Sequence, residues 1–323
     1  MSPVRPRAAG AVVALIAVAL LSACGTGTYT PTAVPTPTAT TAAAGSTATP
    51  TPVSCDNPTQ SYDPLPALSG PTADNAVKAI KDRGYLTAGV SADSWLLGSR
   101  NPVTGQIEGF DIDMVDALAK AIFGDSDPKH VNLVVISAAD RIKALQDNRV
   151  DVVVRNMTMT CDRWTQIAFS AEYYRSGLKI LVDKDSPVAT LEGLAGKKVC
   201  APNGTSTMDK IKATQGITAV GADTHTGCLV LFQEGEVDAI AGDDTVLAGL
   251  VAQDPYAKVP QMQPLTSEPY GIGVNKDKID LVRYINRVLE NVKANGWEDS
   301  YNRWFLPNLK VAATPPQPVY GRT

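Results

Sequence analysis

The sequence predicts an α/β protein with two similar lobes, each built on a mostly parallel sheet with flanking helices. Short apolar strand segments alternate with helical periods along most of the chain, an order typical of parallel sheets. The same order starts again near residue 196, and "ALQDNRVDVVV" (144–154) resembles "LFQEGEVDAIA" (231–241). The repeated order together with this internal similarity favours two related units.

The individual elements follow from the spacing of apolar residues and from breakers at their ends. In "FDIDMVDALAKAIFG" an amphipathic helix runs from about Ile112 to Ile122 and stops at Gly124. Apolar runs predict strands at 85–91, 131–137, 150–158, 177–183, 196–202, 217–222 and 237–244. Helical periods predict further helices at 140–149, 207–215, 228–235, 279–296 and 297–305.

The N-terminal segment has the features of an export signal. Arg5 and Arg7 precede an apolar stretch, Ala8 to Leu21, that is shorter than the ~20 residues of a membrane span. A basic start, a short apolar centre and small residues before a cleavage point are typical of such signals. "LSAC" resembles the bacterial lipobox, which implies a signal peptide at 1–23 and lipidation of Cys24, with palmitate among the attached chains. The alternative is an uncleaved signal anchor.

The composition of the next segment predicts a tether rather than a fold. Residues 25–54 are almost wholly Thr, Ala, Pro, Gly and Ser, so we expect an extended, disordered tether at 24–54. Roughly 270 residues remain, enough for one large domain or two lobes. The net charge of −4 gives no polyanion-binding signature, so we expect no nucleic-acid partner.

Cysteine usage predicts two disulfide bonds. Besides Cys24 the chain has Cys55, Cys161, Cys200 and Cys228, and an even number in an exported protein suggests disulfides. Of three possible pairings we favour Cys200–Cys228, which closes a loop within one segment and is worth roughly 3–4 kcal/mol. The second would be Cys55–Cys161, worth about 5 kcal/mol. Metal binding is not predicted, because the sequence has no C-x-x-C pair and no Cys/His cluster.

Two strand ends stand out as candidate binding segments. "NMTMTCDRW" (156–164) follows the apolar run "VDVVV" (150–154), and a surface loop has no need for such a polar combination. In open α/β sheets, ligands bind beyond the carboxyl ends of the strands. "AGDDT" (241–245) is the corresponding strand end in the second series. A cleft between two lobes would bring these two ends face to face.

Six segments, in their order along the chain, resemble the extracellular solute-binding proteins of family 3, the polar amino-acid receptors of ABC importers. They are most similar to the glutamine- and glutamate-binding lipoproteins of actinobacteria, and the resemblance covers about residues 75–306. It is carried by "EGFDIDMVDALA", "VDVVVRNMTMTCDRW", "FSAEYYRSGLKILV", "LAGKKVC", "VDAIAGDDTVLAGL" and "EPYGIGVNK".

The resemblance implies a two-lobed, periplasmic-binding-protein-like fold of type II, with two crossing strands as the hinge. Lobe 1 would comprise 56–182 plus 274–323, and lobe 2 would comprise 183–273. The cleft would close on its ligand, a hinge motion for which periplasmic binding proteins are the standard example.

The implied function is that of a receptor anchored by lipid to the outer face of the cytoplasmic membrane. It would bind Glu, Gln, Asp or Asn as a monomer, without cofactor or catalysis, and deliver it to an ABC permease. One alternative is an amino-acid sensor that signals to a membrane protein. Another is an enzyme similar to cyclohexadienyl dehydratase, which would need an acid/base group in the cleft.

The resemblance also assigns residues to the two charged ends of an amino acid. Arg163 matches the carboxylate-binding position, and its planar guanidinium can bind a carboxylate through two hydrogen bonds. Asn156 and Thr158 match positions that offer groups to the ligand ammonium and carboxylate. The alternatives are a surface ion pair for Arg163 and simple β-propensity for Thr158.

The second lobe is expected to supply the remaining contacts to the ligand backbone. In "NGTST" the amides of Thr205, Ser206 and Thr207 begin a helix and can bind the same carboxylate, although an ordinary helix cap is also expected there. Asp243 matches the amine-binding acid of the family. Asp244 is its rival and could instead cap the next helix.

Selectivity for the ligand side chain is assigned to fewer residues. Trp95 matches an aromatic wall over the ligand, with a core tryptophan as the alternative, and Tyr270 is expected to pack at the second hinge crossing. Arg100, Arg155 and Lys179 could each bind a distal carboxylate. By strand alternation Arg155 should point away from Asn156, so we rank Arg100 higher.

Other chemistries lack their motifs. His130 and His225 have no G-x-S-x-G partner, and "SGLK" (176–179) has no following S-D-N or K-T-G. "GLAGKK" lacks the P-loop spacing. Asp111, Asp113 and Asp116 lack the Gly and distal Glu of a calcium loop, so we interpret them as part of a strand-to-helix junction.

Overall fold

The computed structural model describes residues 55–68 and 75–323. The predicted signal peptide (1–23), Cys24 and the tether (24–54) lie outside these described residues. The strands are β1 Leu86–Val90, β2 Asp93–Ser94, β3 Gly98–Arg100, β4 Ile107–Glu108, β5 Val131–Val135, β6 Val152–Val153, β7 Ala168–Phe169, β8 Tyr174–Asp183, β9 Lys198–Pro202, β10 Thr218–Ala222, β11 Ala239–Asp243, β12 Ala257–Lys258, β13 Ser267–Tyr270 and β14 Gly273–Val274. The helices are α1 Ala76–Arg83, α2 Phe110–Phe123, α3 Arg141–Gln146, α4 Cys161–Trp164, α5 Ser206–Lys212, α6 His225–Gln233, α7 Asp244–Gln253, α8 Ile279–Asn295, α9 Trp297–Trp304 and α10 Leu306–Leu309.

The first sheet has the strand order β5-β1-β6-β14-β7. Strand β1 runs parallel to β5 and β6, whereas β14 runs antiparallel to β6 and β7. Strand β1 does not alternate between buried and exposed residues, because all five of its residues are buried. This is expected for an internal parallel strand, which is covered on both faces. A small antiparallel sheet of β2, β3 and β4 lies between β1 and α2 in the chain.

The second sheet has the order β10-β9-β11-β8-β12. Strand β9 is parallel to β10 and β11, and the long strand β8 is antiparallel to β11 and β12. The predicted α/β class is therefore confirmed. The sheets are mixed rather than mostly parallel, because antiparallel pairs are at least as many as parallel pairs in each.

Two antiparallel strands connect the sheets. The first half of β8 pairs with β13 from Tyr174 to Gly177, and its second half pairs with β11 from Leu178 onward. The chain then returns through β13 to β14 in the first sheet. The predicted lobe boundary at 182/183 thus falls several residues after the point where β8 joins the second sheet, because the apolar run of β8 continues without a break across the connection.

Helix boundaries follow the breakers in the sequence. Helix α2 begins after Gly109 and ends at Gly124, which has a left-handed conformation with φ 90°. A Cβ on Gly109 would lie 2.3 Å from the carbonyl oxygen of Leu97, so only glycine fits where this chain segment passes the β2–β3 turn. The first residues of α2 are thereby fixed beside the carboxyl ends of the first sheet.

The structure contains both favoured disulfide bonds. Cys55 bonds to Cys161 and Cys200 bonds to Cys228. The first ties the start of the described chain to α4, and the second joins β9 to α6. Both bridges therefore stabilise the elements that carry the polar strand ends.

The sequence prediction was wrong about one strand at the site. The run 150–158 forms a strand only at Val152–Val153, and Asn156 has a positive φ of 36°. Asn tolerates this left-handed conformation better than most residues. The chain therefore turns after β6, and strand alternation does not hold beyond it.

Candidate functional site

A small cavity of about 10 Å³ lies where the carboxyl ends of the two sheets meet. It has room for about one water molecule. The lining residues come from segments after β5, β6 and β9, from helices α3, α5 and α6, and from the end of β11: Ala138, Arg141, Arg155, Asn156, Thr158, Thr205, Ser206, Thr207, His225 and Asp243. Six of them were predicted as binding residues from the sequence, namely Asn156, Thr158, Thr205, Ser206, Thr207 and Asp243.

Asp243 is a buried carboxylate with one free oxygen. Its Oδ2 accepts a hydrogen bond of 2.6 Å from the hydroxyl of Tyr270, whereas its Oδ1 is buried without a partner. Burial, reinforced by the nearby Glu268, raises its pKa to about 7. A cationic group placed at Oδ1 would favour the ionised form and satisfy the unpaired oxygen.

Arg163 lies beside the cavity rather than on its wall. Its Nη1 donates to the carbonyl oxygen of Thr158 at 2.7 Å, and its Nη2 donates to that of Gly204 at 3.3 Å. Arg141 donates to the same Gly204 oxygen at 3.2 Å. Two guanidinium groups from the first sheet's side therefore converge on the turn that precedes α5. Desolvation lowers the pKa of both, and the charge of Asp243 opposes this.

The hydroxyl groups predicted to bind the ligand carboxylate bond to a buried glutamate instead. Thr158 Oγ1 donates to Glu268 Oε2 at 2.7 Å, and Ser206 Oγ donates to the same oxygen at 2.9 Å. Thr266 donates to the other oxygen at 2.5 Å. Glu268 thus links a residue after β6 to the start of α5, and it closes one end of the cleft.

The start of α5 combines a helix cap with cavity-lining side chains. Thr205 is the N-cap: its Oγ1 accepts from the amide of Met208 at 3.0 Å and donates to Pro202 at 2.7 Å. Gly204 before it has φ 71°, and a Cβ there would lie 2.6 Å from the Cα of Ala139. The ordinary capping interaction is therefore present, and glycine permits the close approach of the two sides.

Asn156 is held by a buried acid from the start of α2. Asp111 accepts from the amide of Asn156 at 2.9 Å and from the hydroxyl of Tyr173 at 2.8 Å. Burial raises the pKa of Asp111 to about 6. These bonds fix the turn after β6, and the side-chain Oδ1 of Asn156 is left buried without a partner.

Arg155 and His225 form the remaining wall of the cavity. Arg155 donates from Nε to the carbonyl oxygen of Ile136 at 2.9 Å. The Nε2 of His225 is buried without a hydrogen-bond partner. Burial, together with the charge of Arg155, lowers the pKa of His225 to about 4, so its imidazole is neutral at neutral pH.

Three residues considered in the sequence analysis lie away from the cavity. Trp95 is 47% exposed and lies near Gly249 of α7, where an added Cβ would be 3.1 Å from the Trp95 Cβ. Arg100 is exposed in β3 and donates to the carbonyl of Gly105 at 2.6 Å. Lys179 pairs with Asp244 at 3.8 Å.

The rivalry between the two adjacent aspartates is decided by their partners. Asp244 is the first residue of α7, and it accepts from the hydroxyl of Ser176 at 2.6 Å. Its carboxylate is therefore engaged outside the cavity, while Asp243 lines it. Tyr270, predicted to pack at the hinge, is fully buried there and also bonds to Asp243.

The sequence analysis ranked Arg100 above Arg155 and did not predict three residues at or beside the cavity. Arg155 lines the cavity and Arg100 does not, because the alternation used to rank them ends with β6. Arg141, His225 and Glu268 were not predicted. The only signal in the sequence was a charged or polar side chain next to an apolar element, as in "SEPYGIG" (267–273).

The arrangement provides cations, acids and unpaired acceptors but no metal centre. Among the residues that the structure describes, no group of three or more His, Cys, Asp or Glu could hold a metal ion. Within 55–68 and 75–323, no helix has both the length and the apolar character needed to cross a membrane.

Comparison with known proteins gives consistent relatives. The glutamine-binding protein GlnH of an ABC transporter from Bacillus subtilis is 32% identical over 234 residues, which is 72% of this chain and 85% of that protein. The glutamate-binding protein GluB of Corynebacterium efficiens is 29% identical and covers 76% of this chain and 85% of its own length. Among solved structures, the P235GK mutant of ArgBP from T. maritima has a TM-score of 0.66 at 32% identity. It covers 71% of this chain and 99% of its own.

These relatives share the fold described above, so the predicted two-lobed, type II periplasmic-binding-protein fold is confirmed. The family profile matches residues 86–307, which span both sheets and every residue of the cavity. The chain belongs to the bacterial extracellular solute-binding proteins, family 3.

Proposed function

We propose that this protein is an extracytoplasmic receptor that binds a polar amino acid, Glu, Gln, Asp or Asn, between its two lobes and delivers it to an ABC importer. The relatives named for glutamine and glutamate binding support this ligand class. Because ArgBP is also a relative, arginine belongs among the ligands to be tested.

One observation carries the proposal: the cavity is bounded by an unpaired buried carboxylate from one sheet and flanked by guanidinium groups from the other. Asp243 offers a free Oδ1 to an ammonium group. Arg163 and the amide of Thr207 are our assignment for the α-carboxylate. Thr158 and Ser206 act here through Glu268, to which their hydroxyl groups donate. A zwitterion needs opposite charges at its two ends, and charge-assisted hydrogen bonds of this kind contribute roughly 1.5–3 kcal/mol each.

Ligand entry requires the cleft to widen, because the cavity has room for about one water. The bonds that cross the cleft include those from Arg141 and Arg163 to Gly204 and from Thr158 to Glu268. We propose that the lobes open by bending at β8 and β13 and close again over the ligand.

The N-terminal segment gives the proposed location. The lipobox-like "LSAC" supports lipidation of Cys24, and the Thr- and Pro-rich residues that follow support a tether between membrane and receptor. Metabolic labelling with a palmitate analogue tests this step, with Cys24→Ala as the variant that should lose the label.

A thermal-shift screen against the twenty amino acids tests the ligand class. A ligand that binds only the folded protein raises the melting temperature. At a ligand concentration of 100 times Kd, the free energy of unfolding increases by about 2.7 kcal/mol. We expect Glu, Gln, Asp or Asn to give the largest shifts, and calorimetry then measures affinity. If none of the twenty binds, the proposed function is wrong.

Variants at the two charged positions test the site. Arg163→Ala and Asp243→Ala should each abolish measurable binding, since the partner charge of the ligand would be buried unpaired. Asp244→Ala is the matched control, because the adjacent carboxylate bonds to Ser176 outside the cavity. Unchanged affinity in both site variants would remove this site from consideration.

A further inference from the structure

We infer that Arg155 and His225 together recognise the ligand side chain as a carboxamide. Arg155 would donate to the amide oxygen, and the Nε2 of His225 would accept from the amide nitrogen. The inference rests on the proposed function, because it assumes that an amino acid occupies the cavity with its ammonium group at Asp243. It selects glutamine or asparagine over glutamate, aspartate and the basic amino acids.

Arg155 provides the donor half of this pair. Its side chain is buried and lines the cavity. Within the described residues, its one side-chain hydrogen bond runs from Nε to Ile136. Both terminal nitrogens are thus left for an acceptor, and five N–H groups in a planar fork are suited to a carbonyl or carboxylate oxygen.

His225 provides the acceptor half. Its Nε2 is buried and unpaired on the cavity wall, where it also lies 2.8 Å from the position of a Cβ on Gly242. The backbone of Ala241 accepts a hydrogen bond from the ring. Because Nε2 has no partner, we assign that bond, and with it the proton, to Nδ1. A neutral imidazole protonated on Nδ1 presents a lone pair at Nε2. That atom accepts from an N–H group and repels a carboxylate oxygen.

The local charge balance points the same way. The fully buried ionisable groups around the cavity are three guanidinium groups and three carboxyl groups: Arg141, Arg155, Arg163, Asp111, Asp243 and Glu268. The half-buried Asp93 adds one more carboxylate near Arg155 and His225. A zwitterion with a neutral side chain preserves this balance. A glutamate side chain adds one buried negative charge, and an arginine side chain adds a positive charge next to Arg155; uncompensated buried charges are strongly unfavourable.

A comparison of glutamine with glutamate tests the inference directly, because the two have nearly the same shape. We expect calorimetry at pH 7.5 to give at least about tenfold tighter binding of glutamine, on the order of the cost of one unmatched buried acceptor. Asparagine against aspartate is the second pair, and arginine and lysine should bind more weakly than either amide.

The variant His225→Gln isolates the acceptor. A glutamine side chain can turn its amide nitrogen toward the ligand and donate to a carboxylate, so we expect the preference for glutamine over glutamate to fall to within about threefold. The matched control is His130→Gln, which makes the same change at the other histidine. His130 is stacked on Phe123 and bonds to Gly84, away from the cavity, and its preference should equal that of the wild type. Melting curves of both variants verify folding.

The donor half is tested by Arg155→Lys, which keeps the charge and removes the fork. We expect glutamine binding to weaken by at least about tenfold. A change of less than about threefold in a folded variant would overturn the role of Arg155.

The pH dependence gives a further test of His225. Glutamate binding should improve relative to glutamine as the pH falls from 7.5 to 5.5, with a limiting slope of about tenfold per pH unit, because a protonated His225 can donate to the carboxylate. Asp93, Arg141, Arg155 and Asp243 face the ring or its surroundings, and Asp111 titrates in the same range, so the His225→Gln variant serves as the reference. The change in the ratio should be larger in the wild type than in this variant.

The outcomes separate the inference from the proposed function. If no amino acid binds, both are wrong. If amino acids bind but glutamate equals or exceeds glutamine at pH 7.5, or His225→Gln leaves the ratio unchanged, the receptor function stands and the carboxamide inference is overturned. Equal pH dependence in wild type and His225→Gln overturns it as well.

Discussion

Replacing Asp243 by asparagine should stabilise the ligand-free protein while removing its ligand binding. The carboxyl group of Asp243 is buried, with only Tyr270 as a partner, and its pKa rises from 3.8 to about 7. A raised pKa in the folded state means that the folded protein binds more protons than the unfolded chain between pH 4 and 7. The protonated form is therefore fully stabilising below about pH 4, and this contribution is lost as the pH rises through 7.

The magnitude follows from the size of the shift. About three pKa units correspond to roughly 4 kcal/mol at pH 8, at 1.36 kcal/mol per unit. Asparagine is neutral at every pH and can still accept from Tyr270, but its amide group needs a partner of its own. We expect about half of the maximum, ~2 kcal/mol, which raises the melting temperature by about 4–8 °C in a domain of this size.

The assay is a set of melting curves without ligand at pH 5 and pH 8, followed by calorimetry with glutamine. Asp243→Asn should gain stability at pH 8 and little at pH 5, and should show no measurable binding. The neighbouring Asp244→Asn is the control, because its carboxylate already bonds to Ser176 and lies near Lys179. Equal effects of Asp243→Asn at both pH values, or wild-type affinity in that variant, would refute the reasoning.

Three further changes have distinct expected outcomes. Glu268→Gln removes a negative charge that raises the pKa of the cleft aspartate, so the pH midpoint of ligand binding, measured by calorimetry, should shift to lower pH. Arg100→Ala and Trp95→Ala should leave ligand affinity within about threefold of wild type, since the structure has both side chains outside the cavity and surface changes are usually small. The double variant Cys200→Ala/Cys228→Ala opens a loop of 28 residues and should lose roughly 3.5 kcal/mol of stability in denaturant unfolding; a loss below about 1 kcal/mol would contradict the entropic account.

The strand ends explain why sequence reasoning located much of the site. Polar residues that directly follow an apolar strand, such as Asn156 and Asp243, are recognisable because nothing in the core requires them. The carboxyl ends of parallel strands share one edge of a sheet, so two such ends in two sheets predict one cleft. The cysteine pairs were also predictable from position along the chain. Cys200 and Cys228 lie in one segment of the second series, which left Cys55 to pair with Cys161.

The residues that were missed depend on tertiary contacts. Arg155 was ranked below Arg100 by alternation, a rule that fails once the strand stops at Val153. His225 begins a helix, where a polar residue is ordinary, and its position follows only from the packing of α6 against β9 and β11. Glu268 follows β12 by ten residues, and no local pattern indicates that it bonds across the cleft to Thr158.

The contacts across the cleft divide the free energy of closure into two parts. Hydrogen bonds from Arg141 and Arg163 to Gly204, and from Thr158 to Glu268, belong to the protein alone. They favour closure whether or not a ligand is present, so they set the balance from which any ligand must start.

The second part consists of the three buried acceptors without partners, namely Asn156 Oδ1, His225 Nε2 and Asp243 Oδ1. Each disfavours the closed arrangement by about 1–3 kcal/mol, and a ligand with matching donors removes that cost. Because a ligand shifts a conformational equilibrium only by its differential affinity for the two states, donors that satisfy these three atoms contribute directly to ligand-induced closure. A ligand that satisfies Asp243 but leaves His225 unpaired would therefore populate the closed state less. Ligands would then differ in the fraction of closed protein as well as in affinity.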